Sequence, residues 1–330
     1  MLHSYQLTCR PGRYPSPGTV PRSSQQTGST RNWLPGGRSC YRRSTNSTVL
    51  HAAFYSVLVK PGLRIIAFNS LFGYTPNVWL VQDSQDPAGV LAWLEEELWK
   101  AEGAGELVHL LGHVPPGILA AERTWSREYN RIVVRYENVI RGQFFGHTHF
   151  DEFEVFHDGE RPVGVAYVAP SQTPWYDLNP AYRVYHVDGD RPGTTRLVLD
   201  HETYVLNLTE AQASSEAHWE RLYSARDAYG MAALTPADWQ DLAERMAADR
   251  SLFDVYYKHF VSAGDPYMAL GCDDQCYQQR LCDVVSSDRN DLDHCLKLLT
   301  RMQKGRQDVR RIRVLIAVLV SSVDAAVLLD

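Results

Sequence analysis

The chain has 330 residues, 44% of them apolar, with a net charge of −6 and a pI near 6.1. That length accommodates one large domain or two medium ones around a sizeable core, and the acidic balance gives no reason to expect nucleic acid as the main partner. The charge is uneven: no Asp or Glu precedes Asp83, while residues 1–50 hold seven arginines among many Ser, Thr, Pro and Gly.

Segment 1–50 cannot bury enough apolar surface to order itself. It shares an Arg- and Ser-rich, acid-poor composition with organellar transit peptides, but reads as a disordered or aberrant chain start. Met1 is not followed by the apolar run of a secretory signal. Residues 62–69 (GLRIIAFN) predict a buried strand. Asp86-Pro87 predicts a helix start, with Asp as N-cap, Pro at the first position, and Leu91, Leu94 and Leu98 as the apolar stripe. Residues 106–111 (ELVHLL) form the next strand-like run and end in Gly112-His113-Val114-Pro115-Pro116-Gly117. A second helical face follows in Ile132, Val133, Tyr136, Val139 and Ile140. Gln143-Phe144-Phe145 then opens into Gly146-His147-Thr148-His149. The order strand, helix, strand, helix, strand predicts an α/β layered domain.

Beyond this the period changes. Residues 152–157 and 181–187 alternate, and 195–206 holds two more strand-like runs, together predicting an added β-layer. From Glu210 the pattern turns helical, over 210–229, 235–247, 249–261 and 274–302. The predicted organisation is an irregular segment 1–50, an α/β domain 51–209, a helical subdomain 210–305 and a basic-then-apolar tail 306–330. The run 314–329 is shorter than the roughly 20 apolar residues a membrane span needs and contains Asp324. It reads as a buried terminal element or an aberrant end rather than an anchor.

Cys272, Cys276, Cys282 and Cys295 cluster with 3, 5 and 12 intervening residues, and Cys9 and Cys40 lie in the irregular start. The cluster lacks the paired C-x₂-C of a common zinc module, which points to disulfides and an oxidising compartment. The sequon Asn207-Leu208-Thr209 points the same way, towards a glycosylated, secreted chain; Asn46-Ser47-Thr48 is a second sequon.

Three histidines stand out by position. His113 follows one buried strand, and His147 and His149 follow another. Ligands of open α/β sheets bind beyond the carboxyl ends of strands, and imidazole is a frequent metal ligand. In an extended G-H-T-H turn, residues i and i+2 point the same way and can reach neighbouring ions about 3.5–4 Å apart. The glycines before His113 and His147 are expected to let the backbone turn sharply. His109, His157, His186, His201, His218, His259 and His294 carry no such signal and read as packed or solvated.

GHVPPG at 112–117, RYENVIRGQFFGHTHFDEFEVF at 135–156 and LDHETYVLNLT at 199–209 resemble the acid sphingomyelinases, of the calcineurin-like metallophosphoesterase superfamily. DPAGVLAWLEEELWKAEGAGELVHLLGH at 86–113, AYRVYHVDG at 181–189 and the cysteine spacing are similar too, so the resemblance runs from about residue 54 to about residue 300. It implies the C-terminal half of a layered metallophosphoesterase with a disulfide-pinned helical subdomain. It also implies two zinc ions, with His113 and His147 on one and His149 on the other. The implied reaction is hydrolysis of sphingomyelin, at a lipid or membrane surface, to ceramide and phosphocholine, in an extracellular or lysosomal setting. The pairing it implies is Cys272–Cys276 and Cys282–Cys295.

Trp175, Tyr176 and Tyr182, in the loop after the site, are candidates to cage the quaternary ammonium by cation–π attraction. The family takes its remaining ligands, an Asp-x-His, a bridging Asp in a Gly-Asp motif and an Asn-His pair, from an earlier half, and no carboxylate precedes Asp83 here, so little phosphodiesterase activity is expected of this chain alone. Competing readings are a nucleotide-type phosphodiesterase and a non-catalytic lipid- or protein-binding remnant. Oligomeric state is left open.

Overall fold

In the computed structural model, which describes residues 3–4 and 46–303, the apolar runs pair into two sheets. The strands are β1 (His3–Ser4), β2 (Tyr55–Lys60), β3 (Leu63–Ala67), β4 (Leu107–Leu111), β5 (Ile140–Phe145), β6 (Glu152–Asp158), β7 (Arg161–Val168), β8 (Ala181–Val187), β9 (Val198–Leu206) and β10 (Trp219–Ser224). The larger sheet has the order β2-β3-β4-β5-β7-β6. Its centre, β3-β4-β5-β7, is parallel, and β2 and β6 are antiparallel edges. The smaller sheet, β1-β8-β9-β10, is antiparallel throughout. Cys9, Cys40 and the tail beyond 303 fall outside the described residues. The predicted limit at 50 falls inside an element, because Asn46–Ala52 forms helix α1 and buries Val49 and Ala52.

Helices α2 (Val90–Gly103) and α3 (Arg123–Arg135) are the crossovers that make β3, β4 and β5 parallel. Both lie on one face of the large sheet, where Leu94, Leu98, Tyr129 and Ile132 meet Ile66, Val108 and Leu110. On the opposite face Phe153, Val155, Val165 and Tyr167 pack in a second core. That core holds residues of the small sheet and of α6 (Pro236–Ala248), α7 (Arg250–Phe260) and α9 (Asp274–Val285). Tyr185 of β8 meets Phe144 edge-on at 4.7 Å, which fastens sheet to sheet. The architecture is thus α/β with a second β-layer, as the period change implied.

Several local expectations shift. Pro87 opens only a 3-10 turn, Pro87–Gly89, because Ala88 and Gly89 take left-handed φ. The α-helix proper starts at Val90, and Asp86 caps it from outside by accepting the N–H groups of Leu91 (2.7 Å) and Ala92 (2.9 Å). Helix α3 stops at Arg135, so Val139 and Ile140 of the supposed helical stripe belong to the turn into β5 and to its first residue. Strand β6 joins the large sheet, not the added layer. Its alternating sequence does not mark an exposed face, because both faces are covered and Phe153 to Phe156 are buried in succession.

Residues 195–206 give one strand, β9, rather than two. The helical reading of 210–229 fails at its centre. Only α4 (Leu208–Ser214) and α5 (Ala225–Tyr229) are helical, and β10 between them pairs with β9. The small sheet therefore runs past residue 209, across the predicted domain limit. The last predicted helix is likewise two, α9 and a run at 293–303, broken at 286–292.

The cysteines are paired Cys272–Cys276, with Cα atoms 5.3 Å apart, and Cys282–Cys295, at 4.5 Å. The first closes the turn between α8 (Asp265–Leu270) and α9, and the second ties α9 to the 293–303 helix. Among the described residues no helix is long and apolar enough to cross a membrane.

Candidate metal centre

Parallel pairing of β4 with β5 sets Leu111 beside Phe144. The pairing continues past the strand ends: Gly112 N–H donates to the Phe144 carbonyl, and Gly146 N–H to the His113 carbonyl, both at 3.0 Å. His113 and His147, 34 positions apart, are thereby forced onto one sheet edge. His113 Nε2 lies 3.3 Å from His147 Nδ1, and the ring centroids are 5.1 Å apart at 81°. Burial pushes both rings below the ordinary histidine pKa, and the charges of their histidine neighbours push further in the same direction. Both imidazoles are therefore held neutral near pH 7, the form that ligates metals.

The G-H-T-H turn is not extended. His147 and His149 have φ of 74° and 72°, left-handed values that non-glycine residues seldom adopt. The histidines themselves make the turn, and neither preceding glycine has a positive φ. Gly112 is needed for room instead, since a Cβ there would lie 2.4 Å from the Phe145 ring. As a result the two rings of the motif face different neighbours. His147 meets Tyr74 edge-on at 4.8 Å, and His149 meets Tyr176 at 5.7 Å.

Two observations fit a metal. Two ligands about 2.0–2.1 Å from one tetrahedral ion have their nitrogens about 3.3 Å apart, the separation of the His113–His147 pair. His149 Nδ1 is buried with no hydrogen-bond partner, an orphan that a cation would satisfy. Among the described residues no group of three or more His, Cys, Asp or Glu side chains is arranged to hold an ion.

The candidate aromatic cage divides. Trp175 and Tyr176 are exposed and lie 6.0 Å apart by ring centroid. Tyr176 also stacks over Phe150 at 6.1 Å, beside the site. Tyr182 is not in that loop. It belongs to β8, where its ring stacks on Tyr204 at 5.1 Å and meets Trp219 at 5.0 Å, because strand alternation sends it to the outer face of the small sheet. Asn207 caps α4, accepting the Glu210 N–H at 3.1 Å.

Sequence reasoning missed the residues that seat the loops. Ser70, Ser126 and Glu154 hold the 112–117 loop through its backbone. Asp151 accepts the hydroxyls of Tyr223 (2.7 Å) and Thr203 (3.0 Å), pairs with buried Arg183, and so fastens the exit of the histidine turn to the small sheet.

Residues 161–302 match the family described as acid sphingomyelin phosphodiesterase C-terminal region. The chain is 44% identical to sphingomyelin phosphodiesterase of Bos taurus over 77% of its own length and 40% of that protein's. The Homo sapiens protein of the same name gives 44%, 77% and 39%. Cyclic GMP-AMP phosphodiesterase of Rattus norvegicus is 35% identical over 76% of this chain and 59% of its own. A dimetal phosphatase from Danio rerio superposes with a TM-score of 0.36 at 12% identity, covering 54% of this chain and 64% of that one, too distant a likeness to inform the site. The chain spans about 40% of the length of the sphingomyelin phosphodiesterases it matches. It is acid sphingomyelinase-like, and corresponds to the C-terminal part of that family.

Proposed function

We propose that His113, His147 and His149 are the C-terminal share of a two-zinc phosphodiesterase centre that hydrolyses sphingomyelin. The observation that carries this is the 3.3 Å approach of His113 Nε2 to His147 Nδ1 beyond adjacent parallel strands. Bound metal would supply an activated hydroxide and offset charge on the phosphoryl oxygens. The chain's own contribution is to keep both imidazoles neutral by burial and to fix their separation before any ion arrives. Exposed Tyr176 beside His149, and exposed Trp175 next to Tyr176, offer aromatic faces to a quaternary ammonium headgroup. The two disulfides and the Asn207 sequon support a secreted or lysosomal setting.

The test is zinc binding and turnover by the purified chain. Zinc is expected to bind and to lose at least about tenfold in affinity on His113→Ala. Turnover of sphingomyelin in vesicles is expected to be far below that of a full-length sphingomyelinase, since Asp-x-His and Asn-His do not occur in this sequence and no carboxylate precedes Asp83. Zinc binding indifferent to His113 and His147 would overturn the metal centre, and full turnover would overturn the expected weakness. A nucleotide substrate is the second reading, favoured by the 35% identity to a cyclic GMP-AMP phosphodiesterase. Hydrolysis of that dinucleotide in preference to sphingomyelin would select it.

A further inference from the structure

The loop from Gly112 to Gly117 leaves β4 carrying backbone groups that neither sheet nor helix satisfies, and side chains from three elements take them up. Ser70, 1% exposed, opens the 3-10 turn Ser70–Gly73, and its Oγ accepts the N–H groups of His113 (2.9 Å) and Val114 (2.7 Å). Ser126 Oγ in α3 donates to the Pro116 carbonyl at 2.8 Å. The Glu154 carboxylate accepts the Gly117 N–H at 3.0 and 3.2 Å.

We propose that Ser70 is a positioning residue for His113, fixing the backbone from which the imidazole reaches His147; this rests on the metal-centre reading above. Both peptide groups flanking the His113 Cα are held. Its N–H is bound by Ser70, and its carbonyl accepts the Gly146 N–H at 3.0 Å, the bond that joins the two histidine loops. Only the side-chain torsions of His113 remain free, and a neighbouring imidazole 3.3 Å away limits those. A bland role for the hydroxyl, capping its own short turn, is already filled: the Asn69 side chain accepts the Leu71 N–H. Alanine at 70 would strand two N–H groups, one of them in the fully packed backbone at Val114, and free the peptide plane before His113 to rotate. Ligand geometry tolerates displacements of only about 0.5 Å.

The experiment compares the full chain with Ser70→Ala, Ser70→Thr and Ser126→Ala. Amide exchange is read at His113, Val114 and Leu110, and zinc affinity by competition with a chromophoric chelator. Ser70→Ala is expected to speed exchange at 113 and 114 at least about tenfold, leave Leu110 unchanged, and weaken zinc binding about 10- to 100-fold. Recovery of affinity in Ser70→Thr, which keeps the hydroxyl, supports the assignment. So does near-normal affinity in Ser126→Ala, which disturbs the same loop four residues beyond Gly112 without touching His113. Wild-type exchange at 113 and 114, or wild-type zinc affinity, in Ser70→Ala overturns it. If the alanine variant does not fold, Ser70→Cys, which keeps the volume and weakens the acceptor, is read by the same criteria. A wild-type chain that binds no zinc sinks the metal centre itself, and the exchange measurement then decides Ser70 separately.

Discussion

The residues that hold the histidine loops are polar groups buried where water cannot substitute for their partners. Asp151 and Arg183 form an ion pair whose side chains are 6% and 1% exposed, and Asp151 also receives two hydroxyl donors. Its position, two residues after His149, makes it the joint between the turn and the small sheet. Removing one member of such a pair leaves an unpaired buried charge. Asp151→Ala is therefore expected to destabilise the fold by about 3–5 kcal/mol in urea unfolding, with part of the loss recovered in Asp151→Ala/Arg183→Met. An effect on the single variant below about 1 kcal/mol would show that water compensates the arginine. His113, His147 and His149 were legible in the sequence because each follows an apolar strand directly. Ser70, Glu154 and Asp151 were not, since their partners lie 43, 37 and 52 residues away.

Elements were readable wherever one face alone is buried. Helix α3 carries its apolar residues on one side and was found, whereas β6, covered on both faces, and β10, with an exposed first half, were not assigned to their sheets. The C-terminal helices are joined by short covalent loops, and the two disulfides close loops with sequence separations of 4 and 13. In the chain-entropy account the longer loop restricts the unfolded chain more. Cys282→Ser/Cys295→Ser is expected to lower stability by about 3 kcal/mol and Cys272→Ser/Cys276→Ser by about 2 kcal/mol. Thermal unfolding of the two double variants should rank them in that order. The reverse order would show that strain or unfolded-state structure, not loop length, sets the contribution.

For the molecule as a whole, burial sets two families of groups against each other as pH changes. Burial holds His259 down at about 4, and His109 and His201 below the usual histidine value. The unfolded chain protonates these below about 6.5 while the native state does not, so their stabilisation is lost as pH falls from there towards 4. Burial raises Glu152 to about 7 and also raises Glu154 and Asp283. Between the ordinary carboxyl value and the raised native one, these groups keep a proton in the native state that the unfolded chain gives up, so their stabilisation is present at low pH and lost as pH rises, for Glu152 through about 7. Glu152→Gln is expected to match wild type near pH 5 and exceed it by about 1–2 kcal/mol at pH 8, allowing for the part of the residue that solvent reaches. Urea unfolding at both pH values checks this, and a variant less stable than wild type at pH 8 would show that Glu152 is charged in the native state.

By itself the sequence determined the α/β layering, the strand-end placement of the three histidines, the likeness to the acid sphingomyelinases and the presence of clustered cysteines. These follow from local periodicity, from short contiguous motifs and from spacing, all carried by neighbouring residues. Only the tertiary structure decided that His113 meets His147, that the histidines and not their glycines make the turn, that Tyr182 lies in a strand of the small sheet rather than in the loop, and that β10 belongs to a sheet rather than a helix. Each of those depends on which distant backbone supplies the missing hydrogen bond or covers the second face, and a single chain order does not encode that one residue at a time.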